Sequence, residues 1–342
     1  MIFVTGGTGM VGAHLFYELI TKGEKVRALK RRGSSLERIE KIFSFYSSDP
    51  RPLLNAIDWV EGDILNKEGL KEHLEGIDQI YHAAAILSFD SRERDLIVAN
   101  NTEGTANLVD LALTMHIEKF CHISSIAAIG SAPEGIEANE EHPWRFSRET
   151  SPYSQSKYLS EMEVWCAILQ GLNAVIINPA VIIGPGDWKS GSSLLISRVW
   201  KGFRFYTKGG TGFVDIKDVT TAAQLLMAQE NWESTKNQRF ILNAENIRFR
   251  DIFNLIADEL EVKRPSLYAG NITLNIAWRL SALLRLLTGI TPSITRDTAR
   301  SANKLSYYDG SKICRTVEFK YLPIAESVKK TVQIFKKDCI IK

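Results

Sequence analysis

Tyr153-Ser-Gln-Ser-Lys157 contains the two side chains of this sequence best placed to move a proton. A tyrosine and a lysine four residues apart share one face of a helix, one turn from each other. An ammonium beside a phenol favours the phenolate. It draws a pKa that starts near ~10 towards neutrality, where tyrosine can give or take a proton. Spacing alone does not single out this pair, because Tyr308-Asp-Gly-Ser-Lys312 repeats it. The Asp309-Gly310 turn signal inside the second pair argues against a helix there. Ser151-Pro152, by contrast, reads as an N-cap followed by proline at the first helical position, so Tyr153 opens a helix. Upstream, Lys119-Phe-Cys-His-Ile-Ser-Ser125 is an apolar strand ending in two serines. Ligands of parallel sheets sit beyond the carboxyl ends of strands, so a hydroxyl there points at the site. Serine, tyrosine and lysine in this arrangement can carry a proton to or from a carbonyl oxygen while hydride moves at carbon.

Hydride chemistry needs a carrier, and the N-terminus has the signature of a site for one. Thr5-Gly-Gly-Thr-Gly-Met-Val-Gly12 follows an apolar strand and opens a helical pattern, with Gly6, Gly9 and Gly12 at three-residue intervals. Glycine permits the tight turn and the close approach of backbone to a pyrophosphate, and the helix N-terminus supplies N–H groups and partial positive charge. A plain structural turn would use glycine as freely; the strand before and the helix after favour a dinucleotide. The next strand decides which one. An acid at its end would bind the adenosine ribose hydroxyls and repel a 2′-phosphate. Lys30-Arg31-Arg32-Gly-Ser-Ser35 instead presents three cations and two hydroxyls. These suit a phosphate, so NADP(H) is favoured over NAD(H), with a solvated basic loop as the bland alternative. Asp63, in Gly62-Asp63-Ile64, is placed to accept from an adenine amino group, although a loop aspartate is unremarkable. His82-Ala83-Ala84-Ala85 ends a strand in small residues that let backbone lie against a cofactor, as an unliganded packed strand end also would.

The elements that must position these residues alternate. Strand patterns at 1–5, 25–30, 56–61, 79–84, 119–124 and 173–178 are interleaved with helical patterns at 11–22, 67–74, 94–115 and 153–169. Strands separated by crossover helices imply an α/β fold with a doubly wound parallel sheet, the Rossmann arrangement. After Gly184-Pro-Gly186 the regular alternation stops. The expected division is a dinucleotide-binding part at 1–186 with a return near 213–245, including a helix at 219–229. A smaller substrate-binding region is expected at 187–212 and 246–342.

Composition bounds the rest. The 342 residues carry 44% hydrophobic and 24% charged side chains, ordinary for a soluble globular chain. A net charge of +2 excludes a general nucleic-acid binder. Cys121, Cys166, Cys314 and Cys339 are too scattered for a zinc pattern or a disulfide framework, no metal is expected, and reduced thiols suit a cytoplasmic protein. The N-terminus has no basic segment followed by a long apolar run, so no leader is expected. Residues 272–290 are strongly apolar, but Arg279 and Arg285 fall on different helix faces and make a bilayer span costly. A buried or lid helix over the substrate is expected there, with contact to a membrane surface the minor alternative.

TGGTGMVG, GDI, HAAA, Asn101-Thr-Glu-Gly-Thr105, HISSIAAIG, YSQSK and NPAVIIGPGD stand in one order over most of the chain. In this the sequence resembles the extended short-chain dehydrogenase/reductase superfamily. The resemblance implies that Tyr153 is the general acid/base and that Lys157 lowers its pKa and holds the nicotinamide ribose. It makes Ser125, five residues before Gly130, the serine that hydrogen-bonds the substrate oxygen, and Asn101 a support for proton relay through water. Asn101 could instead satisfy backbone groups, and Ser124 could be structural or exchange roles with Ser125. Cofactor contacts are expected at Gly6, Thr8, Gly9, Met10, Gly12, Arg31, Arg32, Asp63, Ile64, Ala83, Ala84, Ala85, Tyr153, Lys157, Pro179 and Val181. The resemblance also implies a homodimer through the helices at 94–115 and 153–169.

Departures from the family pattern narrow the substrate. Nucleotide-sugar members carry an arginine and an asparagine where this chain has Asn178 and Val181, and dehydratases carry an acidic pair where it has Ile126-Ala127. The segments at 178–187 and 209–219 resemble the dihydroflavonol-reductase and 3β-hydroxysteroid-dehydrogenase branches. The C-terminal Asp309-Gly-Ser-Lys312 and Tyr321-Leu-Pro323 are also of family type, which makes Tyr308 and Lys312 structural. The expectation is an NADP(H)-dependent oxidoreductase for a carbonyl/alcohol group of an apolar small molecule. A nucleotide-sugar epimerase or reductase using NAD is the alternative enzyme, and a non-catalytic NADP(H)-sensing regulator the alternative of another class.

Overall fold

A computed structural model describes residues 1–87, 91–133, 135–147, 150–288 and 295–340, with backbone alone for 91 and 283–288. Seven strands form one parallel sheet: β1 (Ile2–Thr5), β2 (Val26–Lys30), β3 (Asp58–Glu61), β4 (Gln79–His82), β5 (Lys119–Ile123), β6 (Ala174–Pro179) and β7 (Gln238–Leu242). Their order is β7-β6-β5-β4-β1-β2-β3, so strand order reverses at β1. Alternate residues of a strand face opposite sides, and here both sides are covered. Ile2, Val4, Cys121, Val175 and Ile177 pack with the helices Met10–Thr21 and Ile216–Met227 on one face. Phe3, Ile80, Phe120 and Ile176 pack with Arg94–Thr114 and Pro152–Leu169 on the other. Each fully buried Phe or Ile contributes about 1.5–3 kcal/mol, which is why continuous apolar runs rather than alternation mark these strands.

The sequence pattern placed six of the seven strands, and the helices at 10–21, 67–73, 94–114 and 152–169, to within two residues; the helix expected at 219–229 runs Ile216–Met227, and the helices Glu37–Ser44 and Arg51–Asn55 between β2 and β3 carry no expectation. The strand expected at 79–84 ends at His82, where Ala83 leaves the ladder to run against Gly6. β7 carries no strand expectation of its own; it follows the helix Ile216–Met227 and pairs parallel with β6. A smaller sheet joins Val181–Ile183, Gly210–Asp215 and Glu245–Arg248, the last pair antiparallel. Ile183, Phe213, Ile252, Ile256, Val328 and Phe335 build a separate core beneath it.

The apolar stretch expected at 272–290 forms the helix Asn271–Thr288, and it is not buried. Leu274 packs with Ala269 and Ala299, while Ile272, Ile276 and Leu280 form an exposed stripe at four-residue spacing. The helix packs on the segment Arg296–Ser301. Residues 289–290 and the Arg285 side chain lie outside the described residues. Among the described residues no helix is long and apolar enough to cross a membrane.

Candidate active site

Parallel pairing in register sets Thr5 beside His82, His82 beside His122 and Ile123 beside Ile177. The segments leaving the carboxyl ends of β1, β4, β5 and β6 therefore share one edge of the sheet. They are the glycine loop, Ala83–Ala84–Ala85, Ser124–Ser125 and the chain from Pro179 to Val181. Arg31 and Arg32 leave β2, and Asp63 and Ile64 leave β3, at the same edge.

The glycine loop is built for backbone approach. Gly6 has φ +74°, and a Cβ there would lie 2.4 Å from the Ala83 carbonyl carbon and the Ala84 nitrogen. A Cβ on Gly12 would lie 2.4 Å from the Gly6 carbonyl oxygen. Gly9 caps the helix Met10–Thr21 with no side-chain hydrogen bond and no acid in the first turn. Its N–H groups and dipole are left for an anion, so the residues present fit a dinucleotide pyrophosphate. Thr8 precedes this cap, and Met10 begins the helix with its methyl 3.0 Å from where a Gly184 Cβ would stand. Arg31 and Arg32 are exposed, whereas Lys30 pairs with Glu61 at 2.6 Å and leaves the set of phosphate-facing cations. Asp63 Oδ1 accepts from the Leu65 N–H at 3.0 Å, a local turn, and Ile64 is buried against Gly104. Pro179 ends β6 opposite Leu242, and Val181 begins the smaller sheet opposite Phe213.

At the chemical end, Ser151 caps as expected: its hydroxyl accepts from the Ser154 N–H at 3.1 Å, with Pro152 in the first turn. The two serines after β5 have different partners. Ser124 donates to the buried Glu161 at 2.6 Å, whereas Ser125 caps the Ile126–Ala128 turn and hydrogen-bonds Tyr153. The Ser124 hydroxyl is thus engaged with a buried carboxylate, and the Ser125 hydroxyl is not. Asn101 is occupied as a fastener. Its Oδ1 accepts from the Ile86 N–H at 2.7 Å, and its Nδ2 donates to the Ile86 carbonyl and the Ser156 hydroxyl, both at 3.0 Å. It ties the loop after β4 to the Tyr153 helix.

One expectation needs correction. The chain alone does not draw the Tyr153 phenol towards neutrality: burial pushes it up, and the Ser125 hydrogen bond is what lowers it. The Lys157 ammonium donates to the Ile123 carbonyl at 2.8 Å. Burial also pulls Lys157 down to about 8, opposed by the Glu161 carboxylate one turn further along.

Glu161 is the buried carboxylate beside the candidate site that motif reading missed. It is fully buried and accepts from Ser124 and Asn178, with an Arg239 guanidinium nitrogen 3.5 Å away. Its position four residues after Lys157, on the same helix face, was the available signal. Asn178 also donates to the Ser125 carbonyl at 3.0 Å, so this cluster braces the serine loop. Glu161→Gln removes the charge that holds Lys157 up. With the ammonium as the active form, activity is present below about pH 8 and lost above it. The variant's alkaline limb should therefore shift to lower pH in a rate–pH profile. An unmoved limb in a variant that melts normally would remove Lys157 from the titration.

Tyr308 and Lys312 are structural. Tyr308 is buried in the strand Tyr307–Tyr308 and donates to the Gly130 carbonyl at 3.0 Å, while Lys312, in the helix Ser311–Thr316, donates to the Arg239 carbonyl at 2.9 Å.

A doubly wound sheet with a glycine cradle at β1 and a Ser/Tyr/Lys set beyond β5 defines a nicotinamide-dinucleotide enzyme of the extended short-chain dehydrogenase/reductase type. The chain belongs to the NAD dependent epimerase/dehydratase family, whose profile matches residues 2–240. It is 30% identical to a putative dihydroflavonol 4-reductase of Synechocystis sp., over 99% of this chain and 96% of that one. It is 29% identical to sterol demethylase protein B of Methylococcus capsulatus, over 77% and 76%. The crystal structure of UDP-glucose 4-epimerase from Thermotoga maritima with UDP-glucose superposes with a TM-score of 0.75 at 20% identity, covering 98% and 99%, a likeness of fold. The protein is an NAD(P)-dependent oxidoreductase of this family.

Proposed function

We propose that the protein is an NADP(H)-dependent reductase or dehydrogenase for the carbonyl/alcohol pair of a largely apolar small molecule. The observation that carries this reading is the hydrogen bond between Ser125 and Tyr153 beyond β5, with Lys157 one turn along the same helix. When bound, the nicotinamide dinucleotide supplies or accepts the hydride. The chain's own residues do the rest. The Ser125 hydroxyl donates to the substrate oxygen and stabilises the negative charge that develops there. Tyr153, kept protonated by burial, gives its proton to that oxygen in reduction and takes it back in oxidation. Lys157 offsets the charge left on the phenolate. Gly6, Gly9 and Gly12 with the first helical N–H groups would hold the pyrophosphate, and Arg31 and Arg32 a 2′-phosphate. Val181 and Ile126-Ala127 support an apolar substrate over a nucleotide sugar or an elimination, as do the names of the reductase and sterol relatives. The substrate side is assigned to 187–212 and 246–342.

A screen following NADPH and NADH absorbance against aldehydes, ketones, steroids and flavonoids tests the reading. Turnover of an apolar carbonyl is expected, and turnover restricted to nucleotide sugars would overturn it. Arg31→Ala with Arg32→Ala should weaken NADPH at least about tenfold, the loss of one or two charge-assisted hydrogen bonds. NADH should bind as before. Equal losses for both cofactors would show that the two arginines do not read the 2′-phosphate.

A further inference from the structure

A cavity of about 990 Å³ is lined by Arg145, Lys208, Arg248, Arg250 and Lys304, with His142 beside them. No carboxylate lines it among the described residues. The whole chain carries a net charge of only +2, so overall composition does not account for this concentration of cations. Like charges around one concavity repel each other and focus a positive potential, which an anion relieves.

The cations are brought together by backbone. Lys208 precedes Gly209, where a Cβ would lie 2.4 Å from the Ala302 carbonyl oxygen and 2.6 Å from that of Lys304. Bare glycine lets the 302–304 segment run alongside, with Gly209 donating to Ala302 at 3.2 Å and Gly210 to Lys304 at 3.0 Å. On the other side Gly210 pairs in register with Arg248. Two aromatic faces orient cations without neutralising them: Arg250 lies 4.7 Å over Tyr206, and Lys208 4.9 Å over Tyr268. Arg145, Lys208, Arg248 and Arg250 form no ion pair with a described residue.

Two stretches of the cavity lining lie close in sequence to Ser125 and Tyr153. Its Gly130 follows Ser125 across the Ile126–Ala128 turn, and its Arg145 lies on the stretch that leads into the Tyr153 helix. Five residues of chain reach at most about 18 Å, so Gly130 is within that distance of Ser125.

We propose that this cavity is an anion subsite for a phosphate or carboxylate carried by the substrate at the end remote from its carbonyl. The guanidiniums of Arg145, Arg248 and Arg250 match the paired oxygens of either group. The subsite rests on the reading of Ser125 and Tyr153 as the reacting end, and it makes the substrate amphiphilic: an apolar body, a carbonyl and a distant charge.

Calorimetric titration of the full chain tests it. The protein is first saturated with NADPH or NADH, whichever binds, so that the glycine cradle is filled. Inorganic pyrophosphate and succinate are then added separately at constant ionic strength. One of the two is expected to bind, pyrophosphate marking a phosphate and succinate a carboxylate. The variant Arg248→Gln with Arg250→Gln should bind it at least about tenfold more weakly, with dinucleotide affinity unchanged as the control for folding. Binding of neither anion, or equal binding by wild type and variant, overturns the subsite. The same titration in Tyr153→Phe separates the two readings. Anion binding there should persist, and if no carbonyl is ever turned over while it does, the redox reading falls and the subsite stands.

Discussion

Tyr153→Phe is expected to lower turnover by about 10²–10⁴-fold, the range of a positioned general acid or base, while leaving dinucleotide affinity essentially unchanged. The substitution removes one oxygen and keeps the ring. The lost atom is the one that Ser125 hydrogen-bonds. The ring's packing and the Ser151 cap stay in place, so the helix and Lys157 should hold their positions. Single-turnover rates and a parallel binding titration check both halves of the expectation. Substantial residual activity on a good substrate would show that the proton comes from elsewhere.

Gly12→Val should act on the opposite half of the reaction, abolishing dinucleotide binding. The new Cβ would sit 2.4 Å from the Gly6 carbonyl oxygen and 2.7 Å from the Gly7 Cα. Those atoms are backbone, and they belong to a loop already held against Ala83 and Ala84. Either the helix Met10–Thr21 moves outward or the loop deforms, and in both cases the N–H groups no longer converge on one phosphate. Overpacking of this kind costs about 1–3 kcal/mol of stability, so a lowered melting temperature should accompany the loss. The contrast between the variants is diagnostic: Tyr153→Phe binds the dinucleotide without turning over, and Gly12→Val does neither. Wild-type binding in a folded Gly12→Val protein would remove the cradle from the cofactor site.

Much of this was legible in the sequence because it is local. The strand, glycine loop and helix at residues 2–21 are contiguous, and so are the cap, proline, tyrosine and lysine at 151–157. The turn signal at Asp309-Gly310 was enough to set aside the second Tyr/Lys pair, and the structure places its two members on different elements. Apolar runs also announced a sheet covered on both faces. β7 was not announced, since Gln238–Leu242 becomes a strand through its pairing with β6, a partner some 60 residues away. The helix at 271–288 shows the converse limit: its composition suggests burial, yet Ile272, Ile276 and Leu280 are more than half exposed.

The sequence by itself determined the class of chemistry, because the proton-transfer pair and the glycine cradle are each defined by short-range spacing. Tertiary structure alone decided how those groups are tuned. Ser124 was separated from Ser125 only by the buried carboxylate of Glu161, on another element. The Tyr153 phenol is governed by desolvation, which depends on everything packed around it. The cations at 145, 208, 248, 250 and 304 are scattered along the chain and share a cavity through tertiary packing, with bare glycine at 209 and 210 letting the 208, 248 and 304 segments meet. Burial and the convergence of remote charges are sums over space, and no local pattern in the chain encodes them.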